Sequence, residues 1–132
     1  EYYRLLQAVR DEQAWEAWVL YMMEAVQQSA LDGIDKVRSI KELLLEVKHR
    51  MRDQHRFYSQ DLVNNIFSHP YTKIDFVMQD LRVSRLTATN YLDALVDTGF
   101  LTKRRMGRSN FYINAPLFLI LSGEQPPAGD GE

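Results

Sequence analysis

The sequence predicts a mainly α-helical protein with one small β-hairpin, in which a helical N-terminal arm precedes a winged helix-turn-helix. Two observations lead to this fold class. From Thr72 to Ile113 the residue pattern runs helix, short turn, helix and then two strands joined by the turn Met106-Gly107-Arg108. Before it lie two longer stretches whose apolar residues recur at helical spacing. We therefore expect an α-rich arm and a compact winged unit.

The first helical stretch covers residues 13 to 30. Asp11 is a candidate N-cap, and the run Leu31-Asp32-Gly33 is a candidate stop. We expect the two tryptophans to pack in a core or an interface, because so large an apolar face needs a partner surface. The apolar positions recur every three or four residues: Trp15, Trp18, Met22, Ala25, Val26 and Ala30.

The second helical stretch covers residues 35 to 56 and carries a short heptad seam. About two heptads are too few for a coiled coil on their own. The other faces are strongly charged, and we expect them to be solvated. This helix is predicted to dock against a neighbour and to connect two units. Its seam steps by three and four residues: Val37, Ile40, Leu44, Val47 and Met51.

Three short helices are predicted after residue 58, each with a candidate cap. Ser59 precedes a helix that runs to about Ser68, where His69-Pro70 ends it because a residue before proline avoids the helical region. Thr72 and Ser84 are the candidate caps of the next two helices. The turn between those helices is assigned to Arg82-Val83, and Gly99 is the predicted stop of the last.

The wing is predicted as a strand at residues 100 to 105 and a return strand at residues 110 to 113. The apolar residues 117 to 121 are expected to pack back onto the unit. The tail is rich in Gly, Pro and acid, so we expect disorder there. The predicted organisation is a helical segment at 1–34, a connecting helix at 35–58, a winged helix-turn-helix at 59–121 and a disordered tail at 122–132.

Composition restricts the classes of function. The 132 residues carry a net charge of −2, so attraction to nucleic acid or to an anionic membrane requires a local patch. The absence of cysteine excludes disulfides and thiolate chemistry, and the three histidines lack the spacing of a metal-ligand cluster. With no signal peptide and no run of about eighteen apolar residues, we expect a cytoplasmic protein without a membrane partner.

The second helix of a helix-turn-helix presents its N-terminal half to the DNA major groove. Arg can pair with guanine and Asn with adenine, while hydroxyls and the helix N-terminus can meet phosphates. The wing adds four cations without an acid. The candidate residues for contact with nucleic acid or with a protein partner are Ser84, Arg85, Thr87, Thr89 and Asn90 on the helix, and Lys103, Arg104, Arg105 and Arg108 on the wing.

Acidic residues weaken the nucleic-acid interpretation. Asp93 and Asp97 lie on the predicted recognition helix itself, and Asp75 and Asp80 lie on the helix before it. DNA-binding domains are usually more basic than this stretch. Binding of duplex DNA and a structural or protein-contact role, such as docking or dimerisation, therefore both remain open.

Two blocks of the chain resemble one protein family. The first is Tyr2-Tyr3, Leu5-Leu6 and Val9-Arg10 with the tryptophans that follow, which looks like the closing segment of a Fic domain. The second is the winged unit, with residues 84–92 (SRLTATNYL) and Thr98-Gly99-Phe100-Leu101, which is similar to the winged helix that many Fic proteins carry at their C-terminus. The resemblance covers about residues 1 to 120.

The resemblance implies a parent enzyme that transfers AMP from ATP, with magnesium, to a hydroxyl of a target protein. The catalytic motif of the family, His-Pro-Phe-x-(Asp/Glu)-Gly-Asn-Gly-Arg, is not in this sequence, where His69-Pro70 is followed by Tyr71-Thr72-Lys73. The inhibitory motif is not in it either. No catalytic, cofactor or metal residue therefore carries over, and we expect ATP and magnesium only in the full-length parent.

Three expectations about the whole protein follow. Because the chain starts at Glu1 and not at Met, we expect it to be an excised fragment of such a parent. The stripe of Trp15, Trp18 and Met22, together with the heptad seam, leads us to expect self-association as a dimer through the N-terminal helices. The alternative is a free-standing winged-helix transcriptional regulator that binds DNA.

Overall fold

The computed structural model describes residues 1–124 and divides the chain into two compact units, Glu1–Arg38 and Ser39–Glu132. The first unit contains helix α1 (Tyr2–Glu12) and the start of helix α2 (Trp15–Gln54). The two helices are separated at Gln13, which takes left-handed backbone angles with φ at 56°. Leu5 and Val9 are the buried side chains of α1.

Helix α2 corrects two sequence predictions. It is 40 residues long and continues through Gly33, so the predicted stop at Leu31-Asp32-Gly33 is wrong. A single Gly costs a helix only about 1 kcal/mol relative to Ala, and no proline follows here to break the hydrogen-bond ladder. The prediction of Asp11 as an N-cap is also wrong, because Asp11 lies inside α1, which ends before Gln13.

The apolar stripe of the first unit is largely exposed. Trp15 has 57% of its surface accessible, and Val19 and Met22 are exposed as well. Trp18 is half-buried, and its ring meets that of Tyr2 edge-on with centroids 5.1 Å apart. The prediction that both tryptophans pack in a core therefore fails for Trp15 within this chain, while packing in an interface stays a prediction.

The second unit includes the last turns of α2. Met51 is fully buried and Val47 nearly so, in one cluster with residues of the following helices and the wing. The heptad seam predicted from the sequence is therefore buried only towards its C-terminal end, since Val37 is 65% exposed. The core of this unit is made of Val47, Met51, Leu62, Val63, Ile66, Val77, Ala88, Leu92, Leu95, Phe100, Leu101 and Tyr112.

The order of elements after α2 is that of a helix-turn-helix followed by a hairpin, as predicted. The strands form one antiparallel sheet in the order β1-β3-β2. The fold is thus mainly α with a small sheet. The elements are α3 (Gln60–Ser68), β1 (Tyr71–Thr72), α4 (Ile74–Leu81), α5 (Arg85–Asp97), β2 (Thr102–Met106), β3 (Ser109–Ile113) and α6 (Ala115–Ser122).

The caps of α3 and α5 are confirmed, and that of α4 is corrected. Ser59 and Ser84 each accept a hydrogen bond from a backbone N–H of the first turn. The N-cap of α4 is Lys73, without a side-chain hydrogen bond, so the prediction of Thr72 is wrong. Thr72 instead lies in strand β1, which the sequence analysis missed, and its buried hydroxyl donates to Asn65 Oδ1 at 2.7 Å.

The wing differs from its prediction at both ends of the first strand. Strand β2 begins at Thr102, because the N–H groups of Phe100 and Leu101 both bond to the carbonyl of Leu95 and close α5. Gly99 is left-handed with φ at 81°, as a helix stop requires. Met106 pairs with Ser109, so the turn has two residues and not the predicted three.

Residues 117 to 121 pack back only in part, as a helix that the sequence did not predict, because Leu119 and Leu121 are exposed. Asn114 caps α6 by accepting from the N–H of Leu117 at 3.3 Å, and it donates to the carbonyl of Ile66 at 3.1 Å. Leu117 is buried. The predicted tail from Ser122 lies mostly outside the described residues, since only its first three residues are included and Ser122 is helical.

None of the helices described in residues 1–124 has the length and apolar composition needed to cross a lipid bilayer.

Substituting Met51 tests the role of α2 in the second core. Met51→Ala should lower the free energy of unfolding by about 2–5 kcal/mol, because it opens a cavity in a fully buried site. Val37→Ala, on the same seam but exposed, should change it by less than about 0.5 kcal/mol. Urea unfolding followed by circular dichroism measures both, and equal effects would contradict the assignment of Met51 to the core.

His55 makes the stability of the second unit depend on pH. The Thr98 hydroxyl donates to the carbonyl of Ala94, so His55 Nε2 donates to Thr98 Oγ1 across 2.8 Å. Burial lowers the pKa of His55 below its ordinary value of 6.5, and the folded protein therefore disfavours the protonated ring. The contribution of His55 to stability is complete above the unfolded pKa and declines as the pH falls through it towards the folded pKa.

The comparison that isolates this effect is with His55→Gln. The free energy of unfolding of the wild type should fall more steeply than that of the variant as the pH is lowered through about 6.5. Unfolding titrations at constant ionic strength provide the two slopes. Parallel slopes would show that the ring titrates equally in the folded and unfolded chains.

Candidate interface on the recognition helix and wing

The hydroxyl groups at the start of α5 are engaged within the helix. Ser84 Oγ accepts from the backbone N–H of Thr87 at 3.2 Å and lies 3.0 Å from the Thr87 hydroxyl. Thr89 Oγ1 donates to the carbonyl of Arg85 at 2.8 Å. These three predicted contact residues therefore stabilise the first turns of the helix, and a ligand that used them would have to share their hydrogen bonds.

The longer side chains at the start of α5 differ in whether they already have a bonding partner within the described residues. Arg85 makes an ion pair with Asp75 of α4, with 2.6 Å between nitrogen and oxygen. Both side chains are well exposed, so the pair contributes no more than about 1 kcal/mol. Asn90 is exposed and makes no hydrogen bond through its side chain within residues 1–124. Leu86, between the candidates Arg85 and Thr87, is 72% exposed.

One carboxylate joins the wing to the recognition helix. Asp93 Oδ1 of α5 accepts from Lys103 Nζ of β2 at 2.9 Å and from the Tyr112 hydroxyl of β3 at 3.1 Å. The hydrogen bond to Asp93 raises the pKa of Lys103, and burial raises the pKa of Tyr112. Lys103 is therefore held as a cation against the protein, and we name the three residues Asp93, Lys103 and Tyr112 the wing clasp.

The remaining wing cations differ in how exposed they are. Arg104 pairs with Phe111 across the hairpin and is half-buried, and its Nε atom has no hydrogen-bond partner among the described residues. Arg105 and Arg108 are exposed, and neither takes part in an ion pair in the described part of the chain. Among the four predicted wing cations, Arg105 and Arg108 are thus the most available to an external anion.

An open cleft of about 210 Å³ brings the helix start and the wing turn together. Arg85 and Arg108, which the sequence analysis placed in one interface, both line it. Lys73 and Asp75, from the start of α4, line it as well, and the sequence analysis did not select Lys73. The cleft therefore combines three cations with one carboxylate, a balance that suits a single anionic group better than an extended phosphate chain.

Sequence reasoning missed the partners that fix these side chains. From the sequence, Asp75 and Asp93 are charges that oppose nucleic-acid binding, whereas in the structure each accepts a hydrogen bond from a candidate cation. Tyr112 was assigned only to a strand, although it is fully buried and bonded to the recognition helix. The ten-residue separation in both ion pairs carries no periodic signal, so only the folded geometry reveals them.

The second unit matches a known protein family. The model of the family described as protein adenylyltransferase SoFic-like, C-terminal domain, matches residues 43–117. This range covers more than half of the 132 residues and runs from the end of α2 to the first turn of α6. It includes Val47 and Met51, so the matched region begins in the helix that completes the core of the second unit.

The wing clasp predicts different effects for two substitutions at Asp93. Asp93→Ala should lower the free energy of unfolding by about 1–3 kcal/mol, because it leaves the buried Tyr112 hydroxyl without an acceptor. Asp93→Asn keeps an acceptor oxygen and loses only a half-exposed ion pair, so it should cost no more than about 1 kcal/mol. Chemical unfolding measures both, and an equal loss for the two variants would refute the role assigned to Tyr112.

Proposed function

Because the chain belongs to the SoFic-like protein adenylyltransferase family through its C-terminal domain, we propose that it is the non-catalytic, protein-contacting region of such an enzyme. In this proposal the parent transfers AMP from ATP to a hydroxyl group of a target protein. The second unit supplies a surface on which the target, or another part of the enzyme, docks. ATP and magnesium act in the catalytic domain of the parent.

The sequence supports the assignment of catalysis and docking to different parts of the parent enzyme. The glycine-rich motif that would cradle nucleotide phosphates does not occur among the 132 residues, and His69-Pro70 is followed by Tyr71-Thr72-Lys73 instead of that motif. Within residues 1–124, no three His, Asp or Glu side chains are grouped so that they could hold a metal ion. We assign AMP transfer to a part of the parent that carries the motif.

The observation that carries the protein-contact role is the chemistry of the exposed face of α5. Leu86 offers an exposed apolar surface on this face, whereas discrimination between bases in the major groove depends mainly on side chains that hydrogen-bond to base edges. Asp75 and Asp93 lie within 3 Å of Arg85 and Lys103, and these carboxylates would repel a phosphate backbone. An apolar residue among balanced charges is typical of a protein interface.

Nucleic-acid binding is the second candidate, and one observation favours it. Lys73, Arg85 and Arg108 converge on the cleft of about 210 Å³, and the side chain of Asn90 on α5 makes no hydrogen bond within residues 1–124. A phosphate bound in the cleft would exchange the Arg85–Asp75 pair for a new one at small cost, since exposed pairs contribute little. Such contacts would make affinity depend on salt. Self-association through the exposed stripe of the first unit stays a prediction as well.

Substituting Leu86 in the full-length adenylyltransferase tests the protein-contact role. Leu86→Asp should reduce the labelling of target proteins with AMP by about tenfold, equivalent to about 1.4 kcal/mol, because it places a charge where the proposed contact is apolar. Labelled ATP in a cell extract provides the measurement, and self-labelling of the enzyme reports its catalytic competence.

The matched control is Asn64→Asp, an exposed position on α3 outside the interface. It should leave both kinds of labelling unchanged. Normal labelling of targets by Leu86→Asp, with normal self-labelling, would remove the support for a docking role of this face.

A further inference from the structure

A second cleft of the Ser39–Glu132 unit lies among α3, β1 and α4, on residues outside the candidate interface. Its volume is about 270 Å³, which is small for a metabolite and matches a single side chain. Its lining combines aromatic rings with polar groups: Asn65, Ser68, His69, Tyr71, Thr72, Phe76, Gln79 and Asp80. Among the described residues, no lysine or arginine contributes to this lining.

A chain of hydrogen bonds fixes the carboxylate of the cleft. The Thr72 hydroxyl donates to Asn65 Oδ1 at 2.7 Å, and Asn65 Nδ2 donates to Asp80 Oδ2 at 2.7 Å. Thr72 and Asn65 are both buried, so the bond between them forms away from water, whereas the bond from Asn65 to the exposed Asp80 is only partly buried. The second N–H of Asn65 and the Oδ1 atom of Asp80 take no partner from the described residues.

The carboxylate of Asp80 differs from those of the candidate interface. Asp75 and Asp93 each form an ion pair with a neighbouring cation. Asp80 forms none within the described range of the chain. The fold therefore orients a negative group at an open cleft without neutralising it. Because the carboxylate of Asp80 is already held in place, a cation that binds it would lose less free energy to the ordering of side chains.

The aromatic residues of the cleft suit a planar cation. Tyr71 and Phe76 are both exposed, although the Tyr71 ring also contacts the rings of His69 and Phe111, with centroids 6.3 Å and 5.5 Å away. Aromatic faces attract cations, and a guanidinium group can stack on a ring while it donates in-plane hydrogen bonds to a carboxylate. Lys73 Nζ, which lines the other cleft, already lies 5.9 Å from the centre of the Phe76 ring.

We propose that this cleft binds an arginine side chain of a protein partner, with Asp80 as the anion and Tyr71 and Phe76 as the stacking surfaces. The inference rests on the proposed protein-contact role and names the chemistry of its partner. Arginine fits better than lysine, because its planar fork matches a carboxylate and an aromatic face together. The free N–H of Asn65 and the amide of Gln79 can add bonds to the backbone carbonyls that flank the arginine.

Nuclear magnetic resonance titration of the full chain tests the site with acetyl-arginine methylamide as the probe. The expected result is a set of saturable shifts confined to residues of the cleft, such as Asn65, Gln79 and Asp80. Acetyl-citrulline methylamide, which has the same shape without the charge, should produce shifts only at a concentration at least about tenfold higher.

Asp80→Asn separates recognition from folding. The new amide oxygen can still accept from Asn65, so thermal unfolding should be close to that of the wild type, while affinity for the arginine probe should fall by about tenfold or more. The matched control is Asp61→Asn, an exposed acid on α3 outside the cleft, which should leave the affinity unchanged.

Equal responses to the arginine and citrulline probes, shifts spread over the surface, or unchanged affinity in Asp80→Asn would each overturn the proposal. The experiments distinguish a failure of arginine binding in the cleft from a failure of docking through the α5 face. If the cleft is silent while Leu86→Asp still reduces target labelling, the docking role stands without it. If the cleft binds arginine while Leu86→Asp has no effect, the partner uses this cleft and not the α5 face.

Discussion

The burial of the last turns of α2 is the constraint on which the second unit depends. Met51 has no exposed surface and shares a core with the leucines of α5 and with Tyr112 of the wing. Because one cluster holds the connecting helix, the recognition helix and the hairpin, none of them can be moved without opening a cavity. The family match begins at residue 43, inside α2, in agreement with a unit that needs this helix.

The same core determines what the surface can do. Tyr112 brings β3 against α5 and places its hydroxyl at Asp93, which then holds Lys103. The ammonium group of Lys103, which could otherwise contact a phosphate, is thereby paired with the carboxylate of Asp93. Such pairs are weak when exposed, but they fix geometry and lower the local positive potential. Leu86 stays exposed among these balanced charges, which supports a surface for proteins.

Local signals in the sequence were sufficient for the elements that local chemistry determines. Ser59 and Ser84 cap their helices, and Gly99 ends α5, because a hydroxyl acceptor and a residue without Cβ have few other roles at these positions. The sequence was misleading where tertiary contacts decide. Thr72 looks like a cap but pairs with Tyr112 and bonds to Asn65, and the partners of the wing cations lie beyond any periodic pattern.

We propose that the winged unit contacts protein, and nucleic-acid binding is the competing proposal. The most direct test is the affinity of the full chain for random duplex DNA across a salt series, because each phosphate contact adds to the slope of log affinity against log salt. We expect no binding above the weak level that the exposed wing cations Arg105 and Arg108 can provide. A slope that corresponds to six or more phosphate contacts, roughly that of committed DNA-binding proteins, and a slope smaller by about two contacts in Arg105→Ala with Arg108→Ala, would show that the unit binds nucleic acid.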